Sequence, residues 1–212
     1  IGHDEKMLKI FDIIEKVKDS DLNVCICGES GTGKELIARA IHQGGQRSRH
    51  AFVSENCGAI SETLLESELF GHLKGSFTGA DEDREGLFSV ADKGTLFLDE
   101  ISDMSQNMQR KLLRTLQEGV VRPIGSKTSI QVDSRVVCAS NTDLKHLVER
   151  DQFRADLFYR LNVITIEVPP LRQRRGDIPL LIDHFLARIG EEEGVEKRFS
   201  VSAMKALVEY GW

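Results

Sequence analysis

One eight-residue segment, Gly28-Glu29-Ser30-Gly31-Thr32-Gly33-Lys34-Glu35, restricts this chain more than any other. It lies between the apolar run Asn23-Val24-Cys25-Ile26-Cys27 and a stretch where Leu36, Ile37, Ala40 and Ile41 recur at helical spacing. Strand, glycine loop and helix therefore follow one another. Glycines let the backbone turn tightly and aim successive N–H groups inward, the start of a helix adds positive potential, and Lys34 supplies a full charge. The segment reads as a phosphate-binding loop whose natural ligand is a triphosphate. After the lysine, where Ser or Thr usually offers a hydroxyl to Mg²⁺, this chain has Glu35. A carboxylate there repels phosphates unless a metal lies between, which makes Glu35 a candidate metal contact alongside the one below.

Residues 94–100, Gly-Thr-Leu-Phe-Leu-Asp-Glu, form an apolar strand ending in two carboxylates. Behind a phosphate-binding loop this is the Walker B pattern. Asp99 would hold Mg²⁺ through its water, and Glu100 would orient and polarise the water that attacks the γ-phosphate. Two further strands end in polar residues, at the edge of an open α/β sheet where ligands bind. Ala51 to Glu55 leads to Asn56, and Arg135 to Ala139 leads to Ser140-Asn141. Asn56 also suits a turn, and Ser140-Asn141 a cap before a helix at Leu144. Arg154 and Arg160 stand six apart in Phe153 to Leu161. With Asp156 they read either as a salt-bridged face or, in a ring-shaped ATPase, as charges reaching into a neighbour's site.

At 212 residues and 40% hydrophobic, the chain can bury a core for one domain, or one and a fraction. An amphipathic helix over residues 4–18 leads in; Ser105 suits a helix N-cap and Gly119 its stop. Val163 to Val168 reads as a last strand, and Pro169-Pro170 sets a boundary. Residues 1–170 are expected to form the α/β nucleotide-binding unit. Residues 171–212 would begin a helical unit, with Asp177 and Pro179 opening one helix and Ser200 another. The start at Ile1 and the stop at Trp212 suggest a piece of something longer. A net charge of −6 excludes a general electrostatic footprint for nucleic acid, so DNA binding is expected elsewhere. Apolar runs far too short for a membrane span, and no secretory leader, suggest a cytoplasmic protein. Cys25, Cys27, Cys57 and Cys138 lack metal-ligand spacing and read as small buried residues. In the glycine-flanked stretch Gly71 to Asp81, Phe77 is open to two readings, a buried anchor or an exposed tip that grips a partner.

Taken together, GESGTGKE, GSFTGA, GTLFLDE and FRADLFYRL resemble the central AAA+ domain of the NtrC-like, sigma-54-dependent transcription activators of bacteria. The likeness covers nearly the whole chain. Its most specific part is the loop Gly75-Ser76-Phe77-Thr78-Gly79-Ala80, which the family commonly writes GAFTGA. The resemblance implies a parallel P-loop sheet flanked by helices and followed by part of an α-helical lid, with ATP and Mg²⁺ as ligands. It implies a homo-oligomeric ring, a hexamer or heptamer, that remodels sigma-54 RNA polymerase so that promoter DNA can open. In it, Asn56 corresponds to a switch holding Glu100 from water, and Ser140 and Asn141 to a sensor at the γ-phosphate. Arg154 and Arg160 correspond to arginines acting in trans, and Phe77 with Thr78 to the loop tip that engages sigma-54. Glu35 is usual after the lysine in this family. The family's lid arginine follows a Gly-Trp-Pro-Gly motif, beyond the Gly211-Trp212 where this chain stops. The alternatives are an AAA+ ATPase that remodels another protein, or a nucleotide-gated scaffold that no longer hydrolyses ATP.

Overall fold

The computed structural model describes residues 2–194 and 197–212. Its strands are β1 (Val24–Cys27), β2 (Phe52–Asn56), β3 (Gly71–His72), β4 (Arg84–Glu85), β5 (Thr95–Asp99), β6 (Val120–Val121), β7 (Ile130–Gln131), β8 (Arg135–Ser140) and β9 (Ile164–Glu167). Its α-helices are α1 (Glu5–Val17), α2 (Lys34–Gly44), α3 (Glu62–Phe70), α4 (Leu87–Val90), α5 (Gln106–Glu118), α6 (Leu144–Glu149), α7 (Ala155–Leu161), α8 (Ile178–Glu193) and α9 (Val201–Glu209). Five strands form one sheet in the order β2-β5-β8-β1-β9, with every neighbouring pair parallel.

A parallel sheet is covered on both faces, so its inner strands β1, β5 and β8 are mostly apolar, while the edge strands β2 and β9 also carry exposed polar residues. Successive side chains still point to opposite faces. Val24, Ile26, Phe97, Val137, Ala139 and Ile166 pack with the buried faces of α1 and α2. Cys25, Leu96, Leu98, Val136 and Cys138 pack on the other side with α3, α5 and α7. The hydrophobic faces of α1 (Met7, Ile10, Ile14, Val17) and α5 (Met108, Leu112, Leu113) are what hold those helices to the sheet. Where β2 and β5 begin, a Cβ on Gly94 would sit 2.1 Å from the Ala51 carbonyl oxygen, so only glycine fits.

Caps follow the sequence closely at most ends. Asp4 accepts from the Lys6 N–H, Ser105 from Met108 and Ser200 from Ala203, while Gly119 ends α5 in the left-handed region. One sequence alternative is corrected: the helix that starts at Leu144 is capped by Asp143, not by Ser140-Asn141. Asp177 opens α8 as expected, standing at its N-cap, and its carboxylate reaches away from the helix: Oδ1 accepts from the backbone N–H groups of His3 at 2.6 Å and Asp4 at 3.0 Å. That fully buried carboxylate ties the start of α1 to the start of α8. Among the described residues no helix is long and apolar enough to cross a membrane.

Arg135, at the first position of β8, is also buried. Its guanidinium donates to the carbonyls of Val17 (2.8 Å), Lys18 (2.9 Å) and Leu22 (3.2 Å), closing the end of α1 and the turn into β1. The change Arg135→Met keeps the stem but strands the Lys18 and Leu22 carbonyls, while that of Val17 keeps the Ser20 N–H and hydroxyl. It will lower the unfolding free energy by about 2–4 kcal/mol, read as a fall in the urea midpoint. An unchanged midpoint would show that these bonds do not hold α1 in place.

Candidate functional site

The site is built on the C-terminal ends of neighbouring strands. Register pairs Asn56 with Asp99 across β2 and β5, and Cys27 with Ser140 across β1 and β8. At about 4.8 Å per strand, Asn56, Asp99-Glu100, Ser140-Asn141 and Gly28 lie along an edge of roughly 14 Å. A chain segment as long as a triphosphate can therefore touch several of them.

The loop from Gly28 to Gly33 joins β1 to α2. Gly28 N–H donates to the Ser140 carbonyl at 3.1 Å, and Gly31 and Gly33 have φ of 78° and 93°, where a side chain is strained. Gly33 caps α2 with no side chain, so the first-turn N–H groups, which have no helical acceptor, open into the loop. Lys34 is only 7% exposed, and its Nζ donates to the Gly28 and Glu29 carbonyls at 2.9 and 3.0 Å. Among the described residues no carboxylate pairs with it. Glu35 instead pairs with Arg39 one turn on, at 3.0 and 2.7 Å, and Arg39 lies over the Phe52 ring. Its charge is thus balanced by a cation from its own helix.

Glu100 has φ 52° and ψ 44°, rare for a residue with a side chain. Its N–H donates to Asp99 Oδ1 at 2.9 Å, leaving the rest of that carboxylate open. The Glu100 carboxylate lies against Gly58: a Cβ there would come within 3.0 Å of its Oε2. Asn56 does not bond Glu100 directly. Its Oδ1 accepts from Gly58 N–H at 2.8 Å, which closes the turn the glutamate rests on. The pair Ser140-Asn141 divides in the same way. Ser140 is buried with its hydroxyl committed to Thr142, whereas Asn141 is exposed on the open side.

Two arginines that the sequence analysis passed over grip the loop. Arg172 forks onto the Glu29 carboxylate, with one bond at 2.8 Å and a shorter second, and holds that carboxyl below its usual range. Arg172 also donates to the Trp212 carbonyl at 3.2 Å. Arg174 is buried and donates to the Thr32 carbonyl at 3.0 Å. Their only sequence signal is the density of basic residues between Pro170 and Asp177. A cleft of about 950 Å³ opens beside the loop, lined by Gly28, Glu29, Asn141, Pro169, Pro170 and α1. Lys34, Asp99 and Glu100 are not part of its lining.

Arg154 and Arg160 are elsewhere. Arg154 forks onto Asp156 at 3.0 and 2.7 Å. Arg160 donates to the Leu116 carbonyl at 2.8 Å and borders a cavity of about 330 Å³ with Asn23, Ser134 and Val163. Those three immediately precede β1, β8 and β9, so Arg160 is at the sheet edge opposite the loop. Neither arginine bonds to the phosphate-binding loop of its own chain.

The stretch Gly75 to Ala80 is carried by the antiparallel pair β3 and β4. Gly75 N–H donates to the Ala80 carbonyl at 2.8 Å, closing it, and Gly75 and Gly79 take φ of 77° and 98°. Phe77 is half-buried, edge-on to the His72 ring at 5.0 Å, and Thr78 is exposed at the tip. The anchor reading of Phe77 therefore describes this conformation. Ser76 packs against Gly125, on the loop between β6 and β7. The four cysteines are free thiols; burial pushes Cys57 up to about 12, and hydrogen bonding to neighbouring thiols raises Cys25 and Cys27 as well.

A model of the Sigma-54 interaction domain matches residues 1–167, and one of the AAA+ ATPase lid domain matches residues 172–212. The transcriptional regulatory protein ZraR of Salmonella typhimurium is 54% identical over 213 residues, 100% of this chain and 48% of that protein. The Nif-specific regulatory protein of Azotobacter vinelandii is 50% identical over 212 residues, 100% of this chain and 41% of that one. Among solved structures, NtrX from Brucella abortus in complex with ATP superposes with a TM-score of 0.90 at 34% identity, covering 100% of this chain and 48% of that one. The chain spans about half the length of the relatives it matches. With the glycine loop, the Asp99-Glu100 strand end and the Gly75–Ala80 loop all in place, the chain belongs to the Sigma-54 interaction domain family.

Proposed function

We propose that this chain is an ATP-hydrolysing ring ATPase of a bacterial transcription activator, which remodels the sigma-54 RNA polymerase closed complex so that the promoter opens. The observation that carries the reading is Lys34, a buried cation at the mouth of a glycine loop with no anion of its own. Such a charge is unfavourable until an anion arrives. The NtrX structure with ATP, from a relative at 34% identity, supports a nucleotide as that anion.

In this reading residues Gly28 to Lys34 wrap the phosphates through backbone N–H groups and the ammonium, Glu29 and Thr32 hold the loop to the linker arginines, and Asn141 faces the γ-phosphate with Ser140 fixing its turn. Glu100 takes the proton of a water whose oxygen forms a bond to the γ-phosphorus as the bond to the β,γ-bridging oxygen breaks, giving ADP and phosphate. Asn56 acts on Glu100 through the Gly58 turn. Among the described residues no three His, Cys, Asp or Glu side chains converge to hold a metal alone. That suits Mg²⁺, which binds through the phosphates, its own waters and one or two carboxylates; when bound it neutralises charge on the phosphate oxygens. Asp99 offers the carboxylate, and Glu35, whose Oε1 takes both bonds from Arg39, can offer its other oxygen.

Arg154 and Arg160 complete a neighbour's site, since neither bonds to its own loop, and a ring of six or seven copies would place them there. Residues 75–80 engage sigma-54, with Phe77 leaving His72 as the loop extends. Residues 171–212 begin the lid beyond a boundary at Pro169-Pro170. DNA is contacted only through parts outside this chain, and the site of action is cytoplasmic, beside the polymerase.

Three measurements on the full-length protein test this. The ATPase rate per subunit will rise with protein concentration and fall at least about 100-fold in Arg154→Ala; a flat rate indifferent to Arg154 would mean a self-contained site. Glu100→Gln will bind ATP like the parent and turn over roughly 100-fold more slowly or worse, and equal turnover removes Glu100 from the base role. Phe77→Ala will keep ATP hydrolysis while losing open-complex formation on a sigma-54 promoter. Promoter opening that survives the change would assign the loop to another partner.

A further inference from the structure

We infer that Asp156 is a positioning residue, a carboxylate that aims the Arg154 guanidinium outward so that its free edge meets a phosphate on the neighbouring subunit. The inference rests on the reading of Arg154 as an arginine that acts across subunits, and it concerns how one chain prepares that arginine before any neighbour arrives.

A guanidinium has five N–H groups in one plane. Asp156 takes two of them side-on, Nε to Oδ1 at 3.0 Å and Nη2 to Oδ2 at 2.7 Å. Three remain, two on Nη1 and one on Nη2, all on the outer edge away from the carboxylate. Bidentate pairing fixes the plane of the group as well as its position.

The carboxylate is itself held. Its Oδ1 also accepts the Leu157 N–H at 2.8 Å, in the first turn of α7. The other end of Arg154 is fixed too, because its backbone N–H donates to Gln109 Oε1 at 2.9 Å. Gln109 is fully buried, and its amide nitrogen donates to the Met104 and Gln152 carbonyls at 2.8 and 3.1 Å. Met104 stands a few residues past Asp99-Glu100. Both ends of Arg154 are thus referenced to rigid parts of its chain, while the pair itself is only half-covered, with side chains 38% and 45% exposed.

An exposed ion pair adds little to the stability of a fold. What this one supplies is direction: a charge already oriented needs no rearrangement when it meets developing charge. Arg160 makes the contrast, since among the described residues its guanidinium has a single bond, to the Leu116 carbonyl, and no carboxylate. The two arginines therefore arrive differently prepared, one aimed and one loosely parked. The fork of Arg154 also holds the Asp156 carboxyl below its ordinary range, which favours the charged form that the fork uses.

The test uses the full-length protein at a concentration where the parent assembles, measuring kcat and KM for ATP and particle mass by light scattering. Asp156→Asn keeps the shape but can accept only one of the two N–H groups. It is expected to lower kcat about tenfold with KM and mass unchanged, and Asp156→Glu, which keeps a fork acceptor, to recover most of that loss. Combined with Arg154→Ala, Asp156→Asn should add no further loss, because its effect runs through that arginine. A kcat within about twofold of the parent for Asp156→Asn, or losses that multiply in the double variant, overturns the assignment. If Arg154→Ala itself keeps the parent rate, the trans-acting reading has failed first, which this design distinguishes from a failure of Asp156 alone.

Discussion

A lysine ammonium drawn out of water needs an opposite charge, and among the described residues Lys34 has only two backbone carbonyls. Much of the structure serves to hold that unmet charge in one place. Because β1 lies inside the sheet, between β8 and β9, its end cannot shift without disturbing both neighbours. Gly28 hangs on the Ser140 carbonyl, α2 is packed against the sheet through Ile37, Ala38 and Ile41, and the rim of the loop is gripped at Glu29 and Thr32 by Arg172 and Arg174. The loop therefore keeps an open shape by contacts at its entry, its exit and its rim.

Those rim contacts also join two regions far apart in sequence. Arg172 and Arg174 belong to the segment between β9 and α8, and Asp177 in the same segment accepts from His3 and Asp4. The start of α1, the phosphate-binding loop and the start of α8 thus share one short stretch of chain. These hydrogen bonds add to the apolar packing that α1 and α2 already share.

How far the sequence shows all this depends on whether a signal is local. Strand ends carrying Asn56, Asp99 and Asn141, the glycine loop, and the caps at Ser105 and Gly119 are written in neighbouring residues, and they are legible. The Glu35–Arg39 pair was missed although its signal is local, four residues apart on one helix face, and it answers the puzzle of a carboxylate beside the loop. The grip of Arg172 on Glu29 spans 143 positions and leaves no periodic or spacing signature. Asp177 opens α8 as its place in the sequence indicates, but its bonds to the His3 and Asp4 N–H groups span more than 170 positions and leave no local signal. Phe77 was open between anchor and tip because a loop with two glycines can do either, and only the nearby His72 ring decides what this conformation does.

The position of Arg160 has a consequence for symmetry. It borders residues that precede β1, β8 and β9, whereas Lys34 follows β1, so donor and acceptor are separated by the length of the strands, about 13 Å for the four residues of β1. A two-fold pair brings one patch against its own copy, which requires complementary groups side by side on that patch. In the proposed ring, copies that lend Arg160 to one another follow head to tail, each turned in the same sense from the last. Whether such a series closes or grows without end is then set by a single rotation angle, and a small change in the shape of one subunit is multiplied by the number of copies in the circle.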